Sequence, residues 1–248
     1  MKTNYLVIIV LLILCSCNKD EVIKEEEIAF NNPNWIKLEI PNKTEANAVF
    51  GSIEDTLLVA TVNKIYQITE KGKKLTEANN VFNQRVFGFV KSNDTLYALI
   101  ANHLKGNNGL KLASHAQQFS LDMGLTWHSL NLYTNPIDIK KNYQEVKIAD
   151  NLSFKLNENI EPFPNSPIGS GIVLKSDVII NKGGLSTVFN VPFNNQLTSL
   201  HLDKYGKLYI SAASSLHDPI TKKFSGVEKQ SSAVVYISKK QVIDLVNN

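Results

Sequence analysis

The chain has 248 residues, of which 43% are hydrophobic and 20% charged, as is ordinary for a globular protein with one sizeable domain. Its formal net charge of +3 is too small to indicate a nucleic-acid partner. The only two cysteines, Cys15 and Cys17, lie near the start, so the rest of the sequence has no disulfide, thiol nucleophile or cysteine metal site.

A short apolar segment precedes the cysteines. Residues 5–14 are too few to cross a hydrocarbon core, which needs about 20 residues, so they are typical of a secretory signal peptide. Residues 14–17, Leu-Cys-Ser-Cys, resemble a bacterial lipobox, which implies cleavage before Cys17 and lipidation of its thiol. Cys15 fits less well, because the bulky Leu14 precedes it. Ordinary cleavage that leaves Cys17 unlipidated is the alternative.

Charged residues follow the lipidation site directly. Lys19, Asp20 and Glu21 resemble the surface-export signal of Bacteroidetes-type lipoproteins, which implies a protein of the outer membrane that faces outwards. An acidic pair also fits a tether without export. The stretch as far as Asn34 is acidic and lacks strand periodicity, which favours a flexible tether. The predicted organisation is a signal peptide over 1–16, a lipid-anchored tether over 17–34 and one domain over 35–248.

From Trp35 the sequence indicates one short strand after another, each ended by turn residues. After a strand at 35–40, three sets of four strands are predicted at 48–53, 56–62, 64–69 and 74–76, then 86–90, 95–100, 117–121 and 125–130, and last 197–202, 207–211, 233–237 and 241–246. Between the second and third sets, strands at 143–149, 152–156, 172–180 and 185–191 fit either one set with an insertion or parts of two.

A turn motif recurs before the second strand of these sets, at residues 55–58, 94–97 and 206–209. Repeated four-stranded units of this kind are typical of propeller blades. We therefore predict an all-β fold, a small β-propeller of four or five four-stranded blades. The strand at 35–40 is expected to close the ring by joining the last blade, which would remove an exposed edge. A β-sandwich is the alternative, although it does not predict the recurring turn.

One hairpin carries a distinctive motif, because residues 120–127 read S-x-D-x-G-x-T-W. Its carboxylate can accept amide N–H bonds of its own turn, and its glycine can take a positive φ. The motif resembles the Asp-box (BNR) repeat of β-propellers, in which the aspartate ties the turn together and the tryptophan packs between sheets. The resemblance gives structural roles to Ser120, Asp122, Gly124, Thr126 and Trp127. A chance hairpin with a buried tryptophan is the alternative.

Signs of catalysis are weak. Asp-box propellers include sialidases, which clamp a carboxylate with three arginines, but Arg85 is the only arginine of this chain. A glycan-active hydrolase that uses carboxylates such as Glu161, Asp218 or Glu228 stays an alternative, because the sequence cannot show the facing pair that such chemistry needs. The five histidines have no metal-binding spacing, and no glycine-rich loop opens a helix, so neither metal nor cofactor is expected. The prediction leans away from an enzyme.

Long loops are predicted between the second and third strands of the blades, on one face of the ring, at 104–116 and 214–232. If the middle of the sequence is one blade, residues 157–170 form a third. Binding residues tend to lie on such loops. Phe163, His217, Asp218 and Phe224 are the candidates, with the two phenylalanines as apolar anchors. We expect this face to bind a protein or a glycan. An assembly factor for a membrane complex, as some Asp-box propellers are, and loops without any partner are the alternatives.

Overall fold

A computed structural model of the protein describes residues 21–22, 30–41, 43–79, 84–105, 110–130, 139–165, 171–225 and 232–246. The predicted signal peptide, Cys17, Lys19, Asp20 and Glu228 lie outside these residues. Antiparallel strands make up most of the described chain and form four small sheets, arranged as the blades of a four-bladed β-propeller. The predicted fold class is confirmed.

The strands are β1 (Glu21–Val22), β2 (Trp35–Ile40), β3 (Ala46–Gly51), β4 (Leu57–Thr61), β5 (Ile65–Thr69), β6 (Lys74–Glu77), β7 (Gly88–Ser92), β8 (Thr95–Lys105), β9 (Leu110–Ser120), β10 (His128–Ser129), β11 (Lys141–Asn142), β12 (Glu145–Ala149), β13 (Leu152–Asn157), β14 (Ile160–Pro162), β15 (Gly171–Val173), β16 (Asp177–Lys182), β17 (Leu185–Phe189), β18 (Asn195–Leu202), β19 (Leu208–Leu216) and β20 (Ala233–Ser238). A 3-10 turn spans Glu70–Gly72, and the short helix α1 spans Val242–Val246.

Each blade begins with its innermost strand. Blade 1 has the order β3-β4-β5-β6, with β1 outside it, and blade 2 has the order β7-β8-β9-β10. Blade 3 is β12-β13-β16-β17, and blade 4 is β18-β19-β20-β2. Around the axis, β3 contacts both β7 and β18, while β12 contacts β18 and β11 contacts β7. The ambiguous middle of the sequence is therefore a single blade, and β14 and β15 form a separate hairpin inserted in it.

The N-terminal strand closes the ring. β2 pairs antiparallel with β20, in a register that runs from Trp35 opposite Ser238 to Ile40 opposite Ala233. This confirms the closure expected from the sequence. The strand predicted at 241–246 was wrong, because that segment contains α1, whose Val242 is buried and donates its amide to Gly206 O. Since β2 already occupies the edge of β20, the segment after β20 cannot pair back onto that strand as the sequence suggested.

Two other segments differ from expectation. The loop predicted at 104–116 lies largely within β8 and β9, which continue their ladder as far as the pair Lys105 and Leu110. The described residues of the predicted tether contact the propeller. Glu21 and Val22 pair with β6, and Phe30 packs its ring 5.4 Å from that of Tyr236.

The hydrophobic core lies between the blades rather than in one central mass. Trp35, Phe154 and Tyr236 belong to the cluster between blades 3 and 4. A second cluster joins blade 4 to blade 1, a third joins blades 1 and 2, and a smaller one lies between blades 2 and 3. Because the faces of each sheet pack against its neighbours, the strand ends and turns on the two faces of the ring stay accessible. No helix in the described ranges is long and apolar enough to span a membrane.

Candidate functional site

The turn at Asp122 is held together by side-chain hydrogen bonds, as its sequence predicts. Asp122 Oδ1 accepts the amides of Leu125 and Thr126 at 3.1 and 2.9 Å, while Oδ2 accepts the Thr126 hydroxyl. Ser120 Oγ donates to the same carboxylate at 2.8 Å. Partial burial raises the pKa of Asp122, but these hydrogen bonds together outweigh it and hold the pKa below its usual range. With its carboxylate engaged in this way, Asp122 has a structural role.

Trp127 links the Asp122 turn to the core. Its indole N–H donates to Gly124 O at 2.9 Å, and its ring lies 5.7 Å from that of Phe89 in the cluster between blades 1 and 2. Gly124 has φ +86°, and its Cα lies close to the Leu58 side chain of blade 1. The motif therefore fastens blade 2 to blade 1, on the face of the ring opposite to the inserted hairpin.

The insertions of blades 3 and 4 lie on the other face, which we call the loop face (residues 157–165, 171–175 and 214–225). In blade 3, β14 pairs with β15 from Ile160 opposite Val173 to Pro162 opposite Gly171. In blade 4, the segment after β19 turns back so that His217 bridges Phe224. The start of β3 lies beside the end of β19, since Glu45 bridges Ala213 there.

Three of the four predicted binding residues form one small turn. Asp218 accepts the Ile220 amide and the Thr221 hydroxyl, each at 2.8 Å, and these bonds hold the pKa of Asp218 below its usual value. His217 packs against the ring of Phe224 edge-on, with centroids 5.5 Å apart. Phe224 is half-buried in this contact, so the structure gives it a supporting position rather than that of an exposed anchor.

The loop face carries several exposed apolar side chains. Phe163, the fourth predicted residue, is 51% exposed, and Ile220 at the tip of the blade 4 turn is 89% exposed. Further exposed apolar side chains are those of Ile160, Ile172, Val173 and Leu216. Sequence reasoning missed Ile220. It follows Asp218 and Pro219, which are turn residues, and two lysines come soon after it, so its position indicates the apex of a loop.

Hydrogen bonds through Asn194 join the two insertions. The Lys175 ammonium donates to Asn194 Oδ1 at 2.8 Å, and the His217 amide donates to Asn194 O at 2.8 Å. Within blade 3, the Asn159 side-chain amide donates to Asp177 Oδ2 at 2.9 Å, and the main-chain carbonyl of Asn159 accepts the Leu174 amide. The two insertions therefore form one continuous surface fixed to the propeller.

Charged side chains beside the loop face are paired with each other. Arg85 donates to Glu45 at 3.1 Å across blades 1 and 2, and burial raises the pKa of Glu45 although Arg85 opposes that shift. Glu158 accepts both the Lys111 ammonium and the Gln144 amide. These residues come from different blades, which is why no sequence motif revealed them. The single arginine has a carboxylate partner, so it is not a free clamp for an anionic sugar.

Two titratable groups reach the centre of the ring. His201 Nε2 lies 2.9 Å from Gly51 O, and burial, with the nearby charge of Lys141, lowers the pKa of His201 to about 4. Lys141 donates from Nζ to Phe89 O at 3.1 Å, and burial lowers its pKa to about 8. At neutral pH the imidazole is therefore uncharged, whereas the lysine keeps most of its charge.

Groups suited to a metal or to hydrolysis do not assemble in the part of the chain that the structure describes. No three His, Cys, Asp or Glu side chains there could hold a metal ion. A cleft of about 150 Å³ lies beside the turns β12–β13 and β16–β17 of blade 3, and Asp150 is its single carboxylate. It does not present the two facing carboxylates of a glycoside hydrolase.

No protein-family model matches the chain, and no curated protein matches it. Among solved structures, the chain is similar to YCF48 from Cyanidioschyzon merolae, with a TM-score of 0.30 and 10% sequence identity, over 77% of this chain and 59% of that one. The chain thus spans less than two thirds of that protein's length. The assignment of a four-bladed propeller rests on the order and pairing of the strands and not on this likeness.

Proposed function

We propose that the chain is a binding protein, anchored by a lipid on Cys17 to the outer membrane and facing outwards, whose loop face docks onto a protein partner. The observation that supports this is that the two insertions, joined through Asn194, carry exposed apolar side chains on the same face, with Phe163 51% and Ile220 89% exposed. Exposed apolar groups gathered on one face of a domain are characteristic of protein–protein contact sites.

The surroundings of these side chains favour a protein over a polysaccharide partner. Interfaces between proteins have an apolar centre and a polar rim. Here the polar groups near the insertions already satisfy each other, as in the pairs Glu158 with Lys111 and Asn159 with Asp177. A glycan site would need unpaired polar groups that point outwards beside an aromatic ring.

Catalysis has less support than binding. Asp218 holds its own turn, and Glu158 accepts hydrogen bonds from two neighbours. Glu161 lies on the exposed β14 without a facing carboxylate shown beside it, and Glu228 is outside the described residues. The Asp-box identity of residues 120–127 and the lipid anchor are part of the proposal and rest on the sequence motifs.

Substitution of the exposed apolar residues tests the docking face. The double variant Phe163→Ser and Ile220→Ser should reduce capture of the partner from the native outer membrane by a factor of at least about 30, since buried apolar anchors each contribute about 1–3 kcal/mol. The matched control is Leu185→Ser with Val188→Ser, two exposed apolar residues of β17. Equal capture by both variants would exclude the loop face.

Anchoring is tested separately. Cys17→Ser should shift the protein from the membrane fraction to the soluble fraction and remove a mass equal to the acyl chains. Binding to a glycan array with no loss in the loop-face variant would identify a polysaccharide ligand elsewhere on the molecule. A captured partner that is a subunit of a membrane complex would identify an assembly factor.

A further inference from the structure

Lys141 is directed from the edge of blade 2 into the centre of the ring. β11 pairs with β9, which places Lys141 opposite Ala113. Gly88 at the start of β7 packs closely against Ala113, since a Cβ there would lie 2.9 Å from the Ala113 side chain, and the Lys141 stem passes beside it at ordinary contact distance. The ammonium then reaches Phe89 O at 3.1 Å and lies 6.0 Å from the ring centroid of Phe50.

Among the described residues, no carboxylate pairs with this ammonium. It contacts the Phe89 carbonyl and the face of the Phe50 ring, and burial is what lowers its pKa. Buried charges in proteins are nearly always paired with an opposite charge. Lys141 keeps some solvent exposure, which gives small ions a route to it, although protein atoms surround the ammonium closely enough to lower its pKa to about 8.

The neighbouring polar groups do not supply the missing negative charge. His201 donates from Nε2 to Gly51 O, because a carbonyl only accepts, and its imidazole is neutral at pH 7. Among the described residues, the centre of the ring thus holds one cation, Lys141, beside a neutral imidazole, an arrangement complementary to an anion.

We propose that the centre of the ring binds a small monovalent oxyanion of the carboxylate class, whose charge is balanced by Lys141. The single positive charge selects a monovalent ion, because a divalent one would leave a buried negative charge unpaired. Binding here is independent of partner docking on the loop face, so either proposal can fail without the other.

Titration calorimetry with acetate tests the proposal, using sulfate at equal ionic strength as the divalent comparison. We expect saturable binding of one acetate per chain at pH 7 and at least tenfold weaker binding of sulfate. The bound anion favours the ammonium form of Lys141. Affinity should therefore fall about tenfold per pH unit above pH 8, and at pH 8 binding should take up about half a proton per acetate. His201, with a pKa of about 4, keeps its neutral form throughout this range.

Lysine variants identify the site. Lys141→Met keeps the length of the side chain without its charge and should abolish acetate binding, whereas Lys140→Met, an exposed neighbour, should leave binding unchanged. Circular dichroism shows whether each variant is folded. If Lys141→Met does not fold, a crystal of the unaltered protein is soaked in bromide instead. An anomalous peak of bromide beside Lys141 Nζ would then support the site. The proposal fails if acetate does not bind, if the folded variant binds it equally well, or if bromide occupies only other sites.

Discussion

Replacing Tyr209 by Phe tests the hydrogen-bond network that joins blades 1 and 4 on the face opposite the insertions. The Tyr209 side chain is fully buried, and its hydroxyl donates to Asp203 Oδ2 and accepts the Ile53 amide, each at 2.9 Å. The substitution Tyr209→Phe removes one oxygen and keeps the ring in its cluster. The Ile53 N–H then has no partner, while Asp203 keeps the Ser52 hydroxyl at 2.7 Å.

The expected loss follows from these two bonds. An unpaired buried donor costs about 1–3 kcal/mol. Loss of the hydrogen bond to Asp203 adds little to this cost, because the Ser52 hydroxyl still donates to that carboxylate. We expect the free energy of unfolding to fall by about 2–3 kcal/mol. For a domain of this size each 1 kcal/mol corresponds to about 2–4 °C in Tm, so the midpoint should fall by ~4–12 °C.

Urea and thermal unfolding of the two proteins measure this loss. Tyr205→Phe is the matched control, because the Tyr205 hydroxyl donates to Asp55 Oδ2 at 3.0 Å on an exposed part of the same region. The control should change stability by less than about 0.5 kcal/mol. If Tyr209→Phe changes stability as little as the control does, the buried network does not stabilise the contact between blades 1 and 4.

Other substitutions test the packing and the turn. Gly124→Ala should cost about 1–3 kcal/mol in urea unfolding, because the residue has φ +86° and its Cβ would lie 2.4 Å from Leu58 Cδ1; Gly184→Ala, with φ +85° and no atom within 4 Å, isolates the backbone strain. Trp35→Ala should cost about 3–5 kcal/mol, since this ring is buried between blades 3 and 4, and a loss below 1 kcal/mol would contradict its role in closing the ring. Asp122→Ala should remove part of the acid sensitivity of Tm. Because the folded pKa of Asp122 is lowered, its carboxylate stabilises the fold above about pH 4 and loses this effect as pH falls through the folded pKa. Melting curves of both proteins from pH 6 to pH 3 that stay parallel would refute this.

Local patterns in the sequence were enough to predict a β-propeller, the Asp122 turn and the closure by β2, but not whether the middle of the chain forms one blade or parts of two. Each depends on alternation or turn chemistry within a few residues, and the pairing of β2 follows from the need to cover an edge. The segment from Gln241 to Val246 carries a strand-like apolar pattern, but it forms α1 because β2 takes the edge that it would need. That competition involves residues about 200 positions apart, and no local pattern reports it.

The candidate sites were harder to predict for the same reason. Phe163 was expected to be an apolar group of a long loop, and its side chain is 51% exposed, while its part in binding stays a prediction. Phe224 and Asp218 looked equally conspicuous, but the first is half-buried against His217 and the second fastens its own turn. Lys141 was missed altogether, since its position in the centre depends on the pairing of β11 with β9.

The pairing of β2 with β20 has a consequence for how the protein is made. Residues 35–40 are synthesised among the first of the domain, yet their partners at 233–238 are among the last. Blade 4 therefore stays incomplete until residues 233–238 have been synthesised, and until then β2 has no partner. Contacts so distant in sequence slow folding. A chain cut short before Ala233 lacks β20, so β2 has no strand of blade 4 to pair with.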